Sequence, residues 1–230
     1  MPYPQGHREE MKKRIVTGAR RLFNRHGFEN VSVDSIMSAA GLTRGGFYSY
    51  FESKSDLYAE VLNCFFTDPE WKNCWEGVEV DPESAAVGPQ VVRAYLSQQH
   101  FEDVENSCPM VALPGDVTRS GPPARRAFET VFAAMVKLLE REIPATGGNG
   151  ARGRASARQH LAAQAMAALC IGGMVVARAL ENRAAADELR RACQTVAFEL
   201  AGWKPGAGAP RKQRGASRGK SVRRVFESSR

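Results

Sequence analysis

The stretch Ser32–Phe51 restricts the fold most. Ser32 is a side chain that caps a helix start, and Asp34 suits a first turn. Ile36 and the small pair Ala39-Ala40 follow. Gly41 then stops the helix, because glycine takes a left-handed backbone without a Cβ clash. Thr43 caps a further helix that starts at Arg44 and runs on through FYSYF (47–51). Two short helices joined by so tight a turn read as a helix-turn-helix. Ile36, Ala40, Leu42, Phe47 and Phe51 supply its small core, and Ala39 and Ala40 let two helices cross closely. Arg44, Gly45 and Tyr48 lie near the N-terminal end of the second helix, the end that enters the major groove in this motif. Gly45 and Gly46 each weaken a helix by about 1 kcal/mol relative to alanine. Close approach to a DNA backbone would offset that cost.

The flanks extend the helical reading. Ile15, Ala19, Leu22 and Phe23 recur at helical spacing over 8–26, and Gly27 follows as a stop. Ser53 caps a helix from Lys54 to about Phe66. Beyond it, Pro69, Pro82 and Pro89 interrupt the pattern around Trp71 and Trp75. Helices are expected over 89–106, from Pro109 to the Gly121-Pro122-Pro123 break, over 123–143, 155–183 and 186–201, with a loop at 146–154. No alternating strand pattern or internal repeat stands out. The expected class is all-α: an N-terminal three-helix helix-turn-helix domain (8–56), a larger helical domain (57–203) and a basic, disordered tail (204–230).

Charge divides the chain in the same places. Its 230 residues carry a net +7, but residues 204–230 hold nine Lys/Arg against the single acid Glu227. Residues 1–55 hold nine basic and five acidic side chains, which leaves the middle acidic. Basic ends around an acidic body suit an anionic partner at the ends and something else in the centre. The five cysteines are widely spaced without a CxxC pair, so neither a disulfide framework nor a zinc site is expected. The start, MPYPQGHREEMKK, has no apolar leader. The longest apolar run, 165–177, has 13 residues where a membrane span needs about 20. A cytoplasmic protein is expected. No Ser/His/Asp set, P-loop or GxGxxG is present, so neither enzyme activity nor a cofactor or metal is expected.

The stretch 19–62 resembles the tetracycline-repressor (TetR) family of transcription regulators. The matching features are Leu22-Phe23 with Gly27-Phe28, Ser32-Val33, Ala39-Ala40-Gly41, and Tyr48-Ser49-Tyr50-Phe51 followed by Lys54 and Leu57. Gly46 stands where the family often has a larger residue. The resemblance implies base-edge contact from Arg44 and Gly45, and phosphate contact from Ser32, Tyr48, Tyr50 and Lys54. It further implies a second domain of about six helices that binds a small effector and forms a homodimer through its last two helices, here near 155–183 and 186–201. The function so implied is a DNA-binding regulator, a repressor released from a double-stranded operator by a small-molecule or thiol-reactive effector. The alternative is a sequence-tolerant DNA-binding protein without a ligand, dominated by its tail.

Each assignment has a plainer competitor. Tyr48 and Tyr50 are phosphate contacts or core residues. Arg44 and Lys54 sit at helix starts, where the macrodipole disfavours a cation, so they point to an external anion or are solvated surface charges. The tail is either auxiliary to DNA binding or inert. The helix around Gly172-Gly173-Met174 is either a dimer seam or an ordinary core helix. Cys108 precedes Pro109 at an expected helix start, where a dipole favours thiolate; it is either a thiol sensor or a buried, unreactive cysteine. The conventional alternative is an effector pocket lined by Phe101, Phe128, Phe132 and Met166 beside Cys108.

Overall fold

The computed structural model describes residues 5–67, 80–81, 84–144 and 152–209. Every regular element among them is helical. α1 (Gln5–His26) buries Ile15, Ala19 and Phe23 completely, together with Met11 and Val16, while Leu22 is only half-buried. It ends as expected at Gly27, whose φ of 77° lets its N–H reach the Phe23 carbonyl at 2.8 Å. α2 (Val33–Ala39) starts at Ser32, whose hydroxyl accepts the Ser35 N–H at 3.0 Å. The next element is a six-residue 3₁₀ helix, η1 (Arg44–Ser49), not an α-helix running through Phe51. The adjacent Gly45 and Gly46 explain this. Two poor helix formers side by side give an α-helix no reason to propagate. α3 (Lys54–Thr67) begins with Ser53 accepting the Asp56 N–H at 3.1 Å.

The body follows as α4 (Val87–Tyr95), α5 (Gln98–Glu102), α6 (Pro109–Ala112), α7 (Pro114–Arg119), α8 (Pro122–Glu142), α9 (Arg152–Ala179) and α10 (Arg183–Ala201). The helix expected over 89–106 is two: Ser97 caps a new start by accepting the His100 N–H at 3.1 Å. Gly121 and Pro122 break the chain as expected, and Pro122 also opens α8. The loop expected at 146–154 ends by Arg152, where α9 already starts. Asn182 caps α10 three residues earlier than expected, with its Oδ1 accepting the Ala185 N–H at 3.1 Å. Trp71, Trp75 and most of the 146–154 loop lie outside the described residues.

Two cores form. The first joins α1, α2, η1 and α3, with Ile36, Met37, Phe47, Leu57 and Tyr58 fully buried. It also takes Leu113, Val117, Ala124 and Ala127 from the body. A division at residue 56 therefore falls inside the first turn of a helix that belongs to this core. The second core joins α4 to α6 with α8, α9 and α10.

α9 is apolar on two faces. Its span Ser156–Ala179 is long and apolar enough, by length and composition alone, to cross a membrane. Ala163, Met166, Ala167, Cys170, Met174 and Ala177 are fully buried in the second core, which makes it the central helix of a folded body. The outer side repeats small and apolar residues at Leu161, Ala165, Ala168, Gly172, Val176 and Ala179, all exposed. Val196 and Leu200 of α10 lie open beside them, 42% and 43% exposed. The adjacent glycines face opposite ways. A Cβ on Gly173 would meet the Cys193 sulfur at 2.6 Å, so glycine is what lets α9 and α10 touch, whereas a Cβ on Gly172 would meet nothing within 4 Å.

The chain does not leave the body at residue 204. Trp203 donates its indole N–H to the Glu142 carbonyl at 3.0 Å. Arg93 of α4 donates to the carbonyls of Ala207, at 2.8 Å, and Pro205. Gly208, at φ 67°, lies so close to Pro89 and Gln90 that a Cβ would not fit. Residues 204–209 thus dock, and the rest of the basic segment, 210–230, lies outside the described residues. Ending the chain at Ala209 is expected to leave the melting temperature within about 1 °C. Ending it at Trp203 strips Arg93 of two acceptors and is expected to lower the temperature by about 4 °C or more. Thermal unfolding of the two truncations checks this.

Candidate nucleic-acid interface

η1 stands on a packed base. Phe47 is fully buried, and Tyr48, 67% exposed, rests edge-on against its ring at a centroid distance of 5.3 Å. Arg44 at the start of η1 points outward and pairs with Asp34 of α2 at 3.1 Å. Both partners are largely exposed, so the pair contributes little to stability. A Cβ on Gly45 would meet nothing within 4 Å, and one on Gly46 would make only ordinary contact with Met37. Packing within the chain therefore requires neither glycine. Gly45 leaves the outer face of η1 bare between Arg44 and Tyr48, while Gly46 faces Met37. Ser32, exposed at the start of α2, already uses its hydroxyl in the cap and in a 3.2 Å bond to Ser35.

Tyr50 is half-buried against the first core. The Arg8 guanidinium lies 5.9 Å over its ring and donates to the Ser49 carbonyl at 2.8 Å. Arg8 thus adds a cation to the end of η1. The sequence held only a faint signal for it: a basic residue in the first turns of a helix otherwise read for its apolar side. Lys54 differs from the expectation built on its helix-start position. Its ammonium donates to the carbonyls of Phe28, at 2.9 Å, and Val31, at 3.0 Å, and lies 4.3 Å over the Phe28 ring. Those oxygens and that π face balance the charge, so no external anion is needed to explain Lys54. It bolts the α1–α2 connection to α3.

The residues expected to line an effector pocket all belong to the second core. Cys108 and Met166 are fully buried, Phe101 is 7% exposed, and Phe128 and Phe132 pack half-buried against that core, Phe128 against the first core as well. The clefts described on α9 and α10, around Leu161 and Ala162, contain none of the five. Cys108 does sit at the N-cap with Pro109 following, but α6 has only four residues and the thiol is fully buried. So short a helix supplies little dipole, and a reagent has no path to the sulfur. The thiolate sensor expected from the Cys108-Pro109 pair therefore loses its physical basis. Among the described residues no group of three or more His, Cys, Asp or Glu is placed to hold a metal.

His100 is the titratable group with most effect on the body. It is fully buried, with Nδ1 donating to the Tyr95 carbonyl at 2.6 Å and Nε2 accepting from the Ser107 hydroxyl at 2.8 Å. Burial holds its pKa down to about 3; the Tyr95 carbonyl opposes the shift, and Arg178 and Arg190 add to it. The unfolded chain takes up a proton near pH 6.5 while the folded one stays neutral. Stability is thus full above pH 6.5 and falls by about 1.4 kcal/mol per unit as pH drops from there toward 3. A His100→Gln variant is expected to flatten this fall, as read from urea midpoints at pH 7 and pH 5.

The geometry defines a class of protein: a helix-turn-helix head with an exposed, basic reading element, carried on an all-helical body. A model of the family described as "Bacterial regulatory proteins, tetR family" matches residues 15–61. The head is similar to the TetR family over those residues. The HTH-type transcriptional regulator AcrR of Shigella flexneri is 42% identical over 53 residues, which are 23% of this chain and 25% of AcrR. This chain therefore matches about a quarter of that relative's length. The body is matched by fold. Reduced NemR of E. coli superposes with a TM-score of 0.59 at 16% identity, covering 83% of this chain and 96% of NemR. A tetR-family transcriptional regulator from Streptomyces coelicolor superposes with a TM-score of 0.59 at 21% identity, covering 84% of this chain and 80% of that one.

Proposed function

We propose that the chain is a homodimeric, cytoplasmic transcription regulator, a repressor that leaves its operator when the helical body takes up a small-molecule effector. The observation that carries this reading is the bare face of η1. Arg44 and Tyr48 project from a packed base, and Gly45 between them has no packing role in the chain. Arg44 is placed to read a base edge in the major groove, with the Gly45 backbone close against the DNA. Ser32, Tyr48 and Tyr50, with Arg8 beside Tyr50, are placed for phosphates, which fix register without reading sequence. Lys54 acts by holding the head together.

The second copy covers the outer seam of α9 and α10. A stripe of alanine, glycine and valine repeating every three or four residues suits close helix packing in a four-helix interface. Two heads then meet two half-sites about one turn of DNA apart. Phe101, Phe128, Phe132 and Met166 are the candidate residues around the effector, with Cys108 as a packing neighbour and not a reagent.

Sequencing the duplexes that the purified chain retains from a random pool tests the reading. A two-fold repeated motif is expected. Recovery of DNA without any motif favours sequence-tolerant binding, and no recovery overturns the proposal.

A further inference from the structure

The densest run of positive charge in the chain follows Ala209, and the fold fixes where it begins. Residues 203–209 lie across the end of α8. Trp203 donates to the Glu142 carbonyl at 3.0 Å, and its ring stands edge-on to Phe198 at a centroid distance of 5.5 Å. Arg93, with its guanidinium 4.9 Å over the Phe198 ring, holds the carbonyls of Ala207 and Pro205. A Cβ on Gly88 would meet both Glu142 and the Trp203 ring at 2.8 Å, and one on Gly208 would meet the Gln90 backbone at 2.7 Å. The start of α4, the end of α8 and residues 203–209 thus form one packed pole. The other end of α8 enters the first core at Ala124 and Ala127, at the base of the head. From Ala124 to Glu142 the helix rises about 27 Å, at about 1.5 Å per residue.

We infer that this pole carries a second DNA site: residues 210–230 hold the phosphates of a duplex other than the one under the reading head. These residues contain eight Lys/Arg against the single acid Glu227, with Val222, Val225 and Phe226 as the larger apolar side chains. So cationic a stretch suits a duplex backbone, which it meets without reading sequence. The place of the charges decides which duplex. Arg211, Lys212 and Arg214 follow Ala209 by two, three and five residues. Even a fully extended chain carries the last guanidinium no more than about 25 Å from Ala209, counting its side chain as two further residues. That falls short of the base of the head, and Arg44 and Tyr48 project from the outside of the head core beyond it. These three cations cannot serve the operator duplex, so a phosphate partner has to come to the far pole. In the proposed dimer two such segments start from two far poles, and a protein bound at its operator holds a neighbouring stretch of duplex as well.

The holding of two duplexes at once rests on the proposed reading of an operator; the site itself does not. The full chain is saturated on an immobilised copy of the duplex it selects, and a labelled duplex of unrelated sequence is then offered at about 50 mM salt. The full chain is expected to capture it. A chain ended at Ala209 is expected to capture less than about a tenth as much, with operator affinity changed by less than about threefold. Arg211→Gln, Lys212→Gln and Arg214→Gln together are expected to lower capture by about fivefold or more and to leave operator affinity unchanged. No capture by the full chain overturns the inference, as when the segment lies on the acidic body instead. A loss of operator affinity of about tenfold or more in either variant places the segment on the head's own duplex and also overturns it. Capture of single-stranded RNA or of phosphatidylglycerol vesicles in preference to duplex DNA overturns the choice of partner. Should the full chain select no duplex, the proposed function falls, and binding to random duplex decides whether the site exists. There the slope of log K against log salt is expected to be shallower by about 3 or more in the chain ended at Ala209. An unchanged slope overturns the site.

Discussion

Gly172→Glu is expected to give a folded monomer that has lost most of its operator affinity. Within one protomer the position is open, since a Cβ there meets nothing within 4 Å. In the proposed dimer the same position lies in the middle of the α9 seam, between Ala168 and Val176, where a second copy's helix comes close. A carboxylate there would be buried without a partner, which association cannot absorb. Losing the second head removes the gain from joined half-sites, on the order of 100- to 10,000-fold. Sedimentation gives the assembly state, thermal unfolding the integrity, and titration of the selected duplex the affinity. Gly173→Ala is the control, because its Cβ collides with Cys193 inside the protomer and should lower stability instead. A Gly172→Glu chain that still sediments as a dimer rules out this seam.

Arg44→Ala is expected to cost about 1–3 kcal/mol of operator binding, or roughly 10- to 150-fold, and to relax selection at one base position per half-site. Its melting temperature should stay within about 1 °C, because the ion pair lost, with Asp34, is exposed on both sides. Arg8→Ala offers the contrast: it should weaken the selected and random duplexes alike, as a phosphate contact does. Equal losses on both kinds of DNA for Arg44→Ala would remove it from base reading.

Much of the fold was legible because its signals are local. Ser32, Gly41 and Ser53 mark helix ends through bonds to residues three away, Pro109 marks one by its fixed φ, and those ends stand where the sequence puts them. The length and type of η1 were less legible, although its two glycines already argued against a regular helix. Lys54 was misread because its partners, Phe28 and Val31, lie 26 and 23 residues back; the sequence showed only a cation at a helix start. Cys108 was misread for a related reason. Its position at a cap is local and correct, but its burial depends on Tyr95, Met110 and α9, and α6 is too short to support the dipole argument. The role of 204–209 was hidden because its two glycines and two alanines look like the low-complexity chain beyond them.

The reach of Leu113, Val117, Ala124 and Ala127 into the first core has a consequence for engineering and for descent. The reading head is not a cassette. A graft of residues 8–56 onto another regulator's body would leave behind α3, with Leu57 and Tyr58, and the α6–α8 residues that close the base of the core. The carbonyls that Lys54 holds and the Asp116 carboxylate that holds Phe28 would come from two different ancestors. Chimeras that respond to a new signal while keeping this operator should therefore carry α1 through α3 and residues 113–127 as one block. Substitutions that retune the body over generations are constrained along the same seam, so head and body must change together.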